Sequence, residues 1–201
     1  MVKKLKLNLI RNKFKEDDLL VFTSFDLRKY FNASANTVNL FLNRNVKKGN
    51  LIKFRKGLYG FTGEYINEML LANKVYKPSY VSFEYALMFY NIIPETVYTI
   101  TSATSKTSRE FIINNITYSY HRIKKEAFTG YTKKYFDGQM ALVAEPEKAL
   151  ADYLYFVALG KKVLNERLSL EEIDRNKLAK YAKIFKRKNL LKLIDQIYDT
   201  A

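Results

Sequence analysis

The sequence predicts an α+β protein with two domains, residues 1–63 and 64–201, and three observations support this prediction. Hydrophobic residues form 48% of the 201-residue chain, which is enough to bury a core and excludes a mainly disordered protein. Apolar residues recur at helical spacing near both ends of the chain, whereas β-branched and aromatic runs lie between them. The basic residues are concentrated in the first domain, so the two domains differ in chemistry as well as in pattern.

The charge distribution indicates a polyanionic partner. Lys and Arg total 35 and Asp and Glu total 20, which gives a net charge of +15. Residues 1–63 hold 14 basic and 4 acidic residues, whereas residues 64–201 hold 21 and 16. An AT-rich gene would also enrich lysine and asparagine, but it would not concentrate the excess in one third of the chain. We therefore expect the first domain to bind a polyanion.

Apolar spacing and capping residues predict the first two helices. The first helix is expected over residues 2–13, with these apolar positions inward: Val2, Leu5, Leu9 and Ile10. Thr23 or Ser24 suits the N-cap of the second helix. Its apolar side is expected to hold Phe25, Leu27, Tyr30 and Phe31. The turn Asn32-Ala33-Ser34 follows it.

A third helix and a basic hairpin complete the first domain. Ser34 is a good N-cap for this helix and Gly49 a good C-terminal residue. The buried stripe is expected at Val38, Phe41, Leu42 and Val46. Two short strand patterns, residues 51–55 and 58–61, are then joined through Lys56-Gly57. This order of elements predicts a winged helix-turn-helix, which is a DNA-binding fold.

The outward face of the third helix holds the candidate DNA-binding residues. Asparagine can bind adenine and arginine can bind guanine through two hydrogen bonds each, and a helix N-terminus can bind a phosphate. Cationic residues on the hairpin would lie along the DNA backbone. We predict double-stranded DNA as a partner, bound by Ser34, Asn36, Thr37, Asn39, Asn43, Arg44, Lys47, Lys53, Arg55 and Lys56. Leu40 lies on the same face, and the alternative is that this face is only solvated surface.

The second domain is predicted to contain a small, mostly antiparallel sheet packed with helices. A connecting helix is expected over residues 64–76, ended by Pro78, and another helix is expected to start at Ser79 or Ser82. Strand patterns follow at residues 97–103, 111–113, 116–123 and 139–143, and Asn114-Asn115 suits a hairpin turn between two of them.

Three helices are predicted at the end of this domain. Pro146 begins the first, with Glu145 and Glu147 favourable at its positive end. Its buried stripe is expected at Ala149, Leu150, Tyr153, Leu154 and Val157. Asp174 can cap the second, with Leu178, Tyr181, Ala182 and Phe185 inward. The third is expected to bury Leu190, Leu191, Ile194, Ile197 and Tyr198.

The sequence does not favour an enzyme. It has no cysteine and one histidine, His121, which lies in a strand pattern, and it lacks the phosphate-binding, zinc-protease and serine-hydrolase motifs. The helix N-terminus accounts for the Glu145 and Glu147 pair. We predict no catalytic residues, no cofactor and no metal site. No apolar run is long enough for a membrane span or a secretion signal, so a cytoplasmic protein without a membrane partner is expected.

Two further polar segments each have two possible interpretations. Lys183, Lys186, Arg187 and Lys188 form a second basic patch, which is either solvated or binds DNA or an acidic protein surface. The segment over residues 102–109 is a polar loop, and it is either an ordinary turn or an anion site.

Several stretches resemble, in order and over nearly the whole chain, the AbiEi family of antitoxins from abortive-infection systems. They are RKGLYG at 55–60, PSYVSFEYAL at 78–87, IIPE at 92–95, ITSAT at 100–104 and AEPEKALADYLY at 144–155. The resemblance implies a winged helix that represses its own operon at inverted repeats. It also implies a C-terminal domain that counters a nucleotidyltransferase-like toxin, in many members without holding the toxin tightly.

Only roles, and not base preferences, carry over to Asn36, Thr37, Asn43 and Arg44. Asn45-Val46 departs from the family pattern, in which leucine more often stands one residue earlier, so the register that places Leu40 stays open.

The expected function is an antitoxin of a toxin–antitoxin system for phage defence, which represses its own promoter. Its partners would be promoter DNA and a cognate toxin, countered directly or indirectly, with the protein monomeric in solution or dimeric on an inverted repeat. One alternative is a winged-helix regulator unrelated to a toxin, with a C-terminal domain that senses a ligand or a protein. The other is a protein-interaction module whose first domain is architectural.

Overall fold

The computed structural model describes residues 5–199 and belongs to the α+β class, which confirms the predicted class. Contacts divide the chain into two compact units, Met1–Asn67 and Glu68–Ala201. The sequence-based boundary at residue 63 lies inside the first unit. None of the helices between residues 5 and 199 is long and apolar enough to cross a lipid bilayer.

The described part of the first unit consists of three helices and a three-stranded sheet. In chain order its elements are α1 (Leu7–Glu16), β1 (Val21–Thr23), α2 (Ser24–Phe31), α3 (Ala35–Lys47), β2 (Leu51–Arg55) and β3 (Leu58–Phe61). The strand order is β1-β3-β2, and both pairings are antiparallel. The sequence patterns did not predict β1, whereas the bounds of β2 and β3 agree with the prediction.

Local side-chain bonds fix the ends of α2 and α3. Thr23 caps α2 by accepting from the Asp26 N–H, and the Asp26 carboxylate accepts from the Thr23 N–H in return. Gly49, at φ 72°, follows α3, and its N–H donates to the Val46 carbonyl. The Asn50 N–H donates to the Asn45 carbonyl, which completes a Schellman motif. The expected cap at Thr23 is confirmed, and Gly49 ends α3 as expected, one residue beyond the C-cap residue Lys48.

One apolar core holds the first unit together, and an edge-to-face pair of Phe14 and Phe22 lies within it at 5.0 Å between ring centres. Its buried members are Ile10, Phe14, Phe22, Leu27, Val38, Phe41, Leu42, Leu51, Tyr59 and Phe61. Phe31 and Val46 are partly buried against this core. The predicted buried stripe of α3 is thus confirmed for Val38, Phe41 and Leu42.

Three predicted core positions in the first unit are wrong. Leu9, Phe25 and Tyr30 are 62%, 65% and 42% exposed. The first helix starts at Leu7 and ends at Glu16, later than the predicted 2–13, so Phe14 packs into the core and Leu9 faces solvent. The predicted contribution of Val2 lies outside the described residues.

The second unit contains a six-stranded sheet and five helices among its described residues. Its elements are α4 (Glu68–Val75), β4 (Ser79–Val81), α5 (Phe83–Phe89), β5 (Ile100–Thr104), β6 (Arg109–Ile113), β7 (Ile116–Arg122), β8 (Tyr131–Phe136), β9 (Gln139–Ala144), α6 (Pro146–Ala158), α7 (Arg175–Ile184) and α8 (Lys188–Asp199). The strand order is β6-β7-β5-β4-β9-β8. The β4–β9 and β5–β7 pairings are parallel, and the other three are antiparallel.

Two strands of this sheet, β4 and β8, were not predicted. Of the two predicted starts for the next helix, Ser82 is confirmed because it occupies the N-cap position of α5, whereas Ser79 lies in β4. The predicted connecting helix over residues 64–76 is shorter than expected. It begins at Glu68 and ends at Val75, and residues 64–67 are not helical.

The three C-terminal helices follow the prediction closely. The Asp174 carboxylate accepts from the N–H groups of Asn176 and Lys177 and so caps α7. Phe185 is fully buried and stacks on Tyr155 at 4.2 Å between ring centres. The other buried apolar residues of α7 and α8 are Leu178, Ala182, Leu190, Ile194 and Ile197. Four positions that were predicted to be buried are only partly buried, namely Val157 of α6, Tyr181 of α7, and Leu191 and Tyr198 of α8.

Candidate nucleic-acid interface

Helix α3 has a buried face and an exposed polar face. The buried side consists of Val38, Phe41, Leu42 and Asn45. The exposed residues recur three or four positions apart and therefore lie on the opposite side of the helix. They are Asn36, Asn39, Leu40, Asn43, Arg44 and Lys47, and Thr37 is half-buried beside them. The structure thus brings the predicted residues of this helix onto one face, and Leu40, 68% exposed, lies among them.

The buried Asn45 explains why this position need not be leucine. Its amide nitrogen donates to the Phe41 carbonyl at 2.8 Å, and its amide oxygen accepts from the Asn50 side chain at 3.0 Å. A buried amide is tolerated when both of its polar atoms are hydrogen-bonded. Asn45 therefore stabilises the turn between α3 and β2. The helix register that the sequence left open is now defined, and it places Leu40 on the exposed face.

The start of α3 is capped by Ser34 and carries no carboxylate. The Ser34 hydroxyl accepts from the Thr37 N–H at 3.2 Å and lies 2.9 Å from the Thr37 hydroxyl. The first turn of the helix contains no acidic residue. The positive end of the helix dipole is therefore not neutralised by a side chain of its own first turn, which suits the approach of a phosphate.

The β2–β3 hairpin supplies the remaining candidate residues, and α3 packs against β2. Lys53 and Lys56 are exposed. Arg55 is half-buried, and its guanidinium donates to the Lys56 carbonyl at 3.1 Å. Gly57, at φ 81°, forms the turn, where a residue with a side chain would be strained. The hairpin therefore presents two exposed lysine side chains and one arginine that is hydrogen-bonded near the turn.

The positive charge of this region is not offset by acids. Residues 27–63 contain eight basic residues and no Asp or Glu. Elsewhere in the unit, Lys13 lies 3.2 Å from Asp17, and Lys15 lies 3.0 Å from Glu64. Within residues 5–199, by contrast, no carboxylate lies within 4.0 Å of four of the candidate cations: Arg44, Lys47, Lys53 and Lys56. These four cations therefore remain available to an anionic partner.

A groove of 530 Å³ runs beside α3. Its lining comes from α3, from Leu5 and from the first residue of α1: Leu5, Leu7, Thr37, Leu40, Phe41, Arg44 and Asn45. The groove brings Thr37, Leu40 and Arg44 together on one surface. An exposed leucine between polar side chains suits a contact with the methyl group of thymine.

A comparison with protein-family models gives no match for this chain, and a comparison with curated proteins gives none either. The side chains of the molecule itself are therefore the guide to its function.

The second basic patch surrounds the turn between α7 and α8. Lys183, Lys186, Arg187 and Lys188 are all exposed. The Lys124 ammonium donates to the Phe185 carbonyl at 2.6 Å and so adds a cation from a distant part of the second unit. The four predicted residues therefore lie together, at the end of α7, in the turn and at the start of α8.

The other polar candidates have structural explanations. The His121 ring packs against Phe83 at 5.0 Å and Phe156 at 5.4 Å, and burial lowers its pKa to about 4, helped by the charge of Lys162. A neutral histidine in an aromatic cluster contributes to packing. Lys177 binds both Glu145, at 3.2 Å, and Glu147, at 2.9 Å, so this carboxylate pair has a structural cationic partner.

The predicted polar loop over residues 102–109 is shorter than expected. Ser102 and Thr104 are fully buried in β5, and the Thr104 hydroxyl donates to the Pro78 carbonyl at 2.8 Å. Arg109 already belongs to β6. The prediction is therefore wrong for the two ends of the segment, because the strands extend into it, and only residues 105–108 form the turn.

The second unit contains a buried polar cluster that the sequence patterns did not predict. Lys148 and Asp152 form an ion pair on α6 with no solvent exposure. Asp152 also accepts from the hydroxyls of Tyr80, at 2.9 Å, and Ser82, at 2.8 Å. Burial raises the pKa of the Asp152 carboxyl and lowers the pKa of Lys148. The signal was a lysine and an aspartate four residues apart within an apolar helix. The cluster ties α6 to the segment of β4 and has no access to a substrate.

Among residues 5–199, no three histidine, aspartate or glutamate side chains are arranged to hold a metal ion.

Proposed function

We propose that the protein binds double-stranded DNA upstream of its own gene and represses its transcription. In this proposal the first unit is a winged helix-turn-helix, with α3 as the recognition helix and the β2–β3 hairpin as the wing. The observation that carries the proposal is the exposed face of α3, which combines amides, one arginine and one lysine in a region without acids. Such a face suits both hydrogen bonds to base edges and contacts to phosphates.

The proposed interface separates base recognition from backbone binding. Asn36, Asn39, Asn43 and Arg44 would meet base edges in the major groove, where Asn prefers adenine and Arg prefers guanine. The backbone would be bound by the helix N-terminus capped by Ser34 and by the more peripheral side chains, namely Thr37, Lys47, Lys53, Arg55 and Lys56. Leu40 would contact a thymine methyl group.

We further propose that the protein is an antitoxin that counters a nucleotidyltransferase-like toxin encoded by the same operon. This part rests on the ordered motifs that resemble the AbiEi family, from RKGLYG at 55–60 to AEPEKALADYLY at 144–155. The second unit would carry the antitoxin function. The exposed patch of Lys183, Lys186, Arg187 and Lys188 is a candidate surface for either an acidic toxin or additional DNA.

The second candidate function is a regulator without a toxin, whose second unit senses a ligand. A cavity of 320 Å³ in that unit favours it. The two functions share the DNA-binding first unit, so co-expression with the neighbouring gene separates them. An adjacent nucleotidyltransferase-like gene that is toxic alone and tolerated together with this protein supports the antitoxin. A toxin that stays lethal in the presence of the well-expressed protein contradicts it.

DNA binding is tested by titrating the full chain into a labelled duplex from upstream of its own gene and into a scrambled duplex. The double variant Asn43→Ala and Arg44→Ala is expected to lose the preference for the upstream duplex. Lys13→Ala is the matched control, because it removes a cation of the same unit that is already paired with Asp17. An unchanged preference in the double variant would remove α3 from the proposed interface.

A further inference from the structure

A cavity of 320 Å³ lies between α4, the start of β4 and the β8–β9 hairpin. Its apolar lining consists of Leu70, Pro78, Phe128, Tyr131, Met140 and Leu142. Four of these side chains, at positions 128, 131, 140 and 142, are left partly or largely exposed by the fold. The volume lies near the lower end of the range for small-molecule sites, which is about 300–1,000 Å³. The cavity therefore suits a compact ligand with an apolar body.

The walls of the cavity are fixed before any ligand binds. Tyr131 stacks on the fully buried Tyr80 at 4.6 Å between ring centres, and Phe128 lies 5.4 Å from Tyr131. On the opposite side, both polar atoms of the Asn73 amide bind the backbone of Leu142. Aromatic rings whose positions are already fixed by packing bind a planar molecule with little loss of side-chain entropy.

The polar residues of the cavity favour a negative group on the ligand. Lys77 is exposed and Lys74 is half-buried at the cavity, and none of its lining residues is acidic. Ser79 also lines it, and the Ser79 hydroxyl is buried without a hydrogen-bond partner among residues 5–199. The two lysines, with no acid among the lining residues, are therefore the groups that favour an anion.

We infer that this cavity binds a small planar anion, namely an aromatic or heterocyclic ring that carries a carboxylate or a phosphate. The ring would lie against Phe128 and Tyr131, and the anionic group would meet Lys77 and Lys74. The inference does not rest on DNA binding or on antitoxin activity, because all of these residues belong to the second unit.

The binding test uses amide NMR spectra of the full chain titrated with three probes. Indole-3-carboxylate represents aromatic carboxylates, adenosine 5′-monophosphate represents nucleotides, and neutral indole lacks the charge. We expect saturable shifts at the amides of Phe128, Tyr131 and Leu142 with at least one of the two anions, and the anion that binds more tightly identifies the class. The absence of saturable shifts at these amides with both anions would overturn the inference. Equal affinity for indole and indole-3-carboxylate would also overturn it if adenosine 5′-monophosphate does not bind.

Two variants test the location of the site. Met140→Trp adds bulk at a cavity position that is 37% exposed, and we expect it to abolish binding. Ile112→Trp is its matched control, because Ile112 is 71% exposed on β6, at the other edge of the sheet, and binding should persist there. Lys77→Gln should weaken binding of the anion about two- to fivefold and leave the affinity for indole unchanged. Binding of the anion by Met140→Trp and Lys77→Gln as tightly as by the original protein would place the ligand elsewhere.

Discussion

Arg44 is the side chain of α3 with the most specific chemistry for a base. It is exposed, and no carboxylate within residues 5–199 lies close enough to pair with it. A guanidinium that binds guanine through two hydrogen bonds contributes about 1–3 kcal/mol of discrimination against other bases. Arg44→Ala should therefore weaken binding to the upstream DNA by about that amount and relax the preference at one base position. Fluorescence anisotropy on a set of single-base operator variants measures both effects.

Lys53 on the hairpin is expected to behave differently from Arg44. An ammonium that contacts a phosphate carries no sequence information. Lys53→Ala should weaken binding to upstream and scrambled duplexes alike and reduce the slope of log K against log salt by about 1. The same anisotropy assay measures this, with Lys13→Ala as the control. If Lys53→Ala changes specificity while Arg44→Ala acts uniformly, the assigned roles of helix and hairpin are reversed.

His121 predicts a pH dependence of stability. Its folded pKa is about 4, below the ordinary value of 6.5, because burial against Phe83 and Phe156 disfavours the charged ring. The unfolded chain thus binds the proton more readily, and stability is lost as the pH falls from about 6.5 towards 4. Between pH 7 and 4.5 the protein should lose about 2–3 kcal/mol more than a His121→Phe variant. Urea unfolding at the two pH values measures this difference in unfolding free energy. Equal losses in the original protein and in His121→Phe would contradict a neutral His121 ring in the folded protein.

At the scale of elements, the buried pair of Lys148 and Asp152 connects α6 to the β4 segment. Asp152→Ala leaves the Lys148 charge buried without a partner, which should cost about 3–5 kcal/mol of unfolding free energy. Asp195→Ala is the control, because it breaks the exposed pair with Arg175 and should cost less than about 1 kcal/mol. Urea unfolding followed by circular dichroism compares the two.

Equal losses for Asp152→Ala and Asp195→Ala would show that the cluster does not hold the second unit together. Tyr80→Phe extends the test if Asp152→Ala does not fold. It removes only the tyrosine hydroxyl bond to Asp152 and should cost about 1 kcal/mol.

Elements with strong local signals could be predicted from the sequence. Thr23, Ser34 and Asp174 cap α2, α3 and α7 as expected, because an N-cap depends on residues only two or three positions away. The exposed face of α3 followed from the helical period, so its candidate residues could be named in advance. A local pattern is sufficient for both features.

Elements that depend on distant partners could not be predicted. β1 and β4 have three residues each, which is too short for a period, and each becomes a strand only by pairing with a strand far away in sequence. Phe14, rather than Leu9, is buried because the packing of α1 decides which face is inward. The cavity joins Leu70, Phe128 and Met140, and no local pattern connects them.

At the scale of the whole molecule, the net charge of +15 predicts a strong salt dependence of DNA binding. If the protein neutralises about 6–10 phosphates on its site, log K should fall against log salt with a slope of about −5 to −9. Anisotropy titrations at four salt concentrations give this slope. A slope near zero would exclude DNA as the binding partner of the basic first unit.

Sequence recognition by α3 is tested by a competition for the full chain between the upstream DNA of the gene and a scrambled duplex of the same length. We expect tighter binding to the upstream duplex, by about 10³-fold if recognition is typical of specific DNA-binding proteins. The double variant Asn43→Ala and Arg44→Ala should lose most of this preference. Equal affinity for the two duplexes at physiological salt would contradict sequence recognition by α3 and, with it, the proposed autorepression.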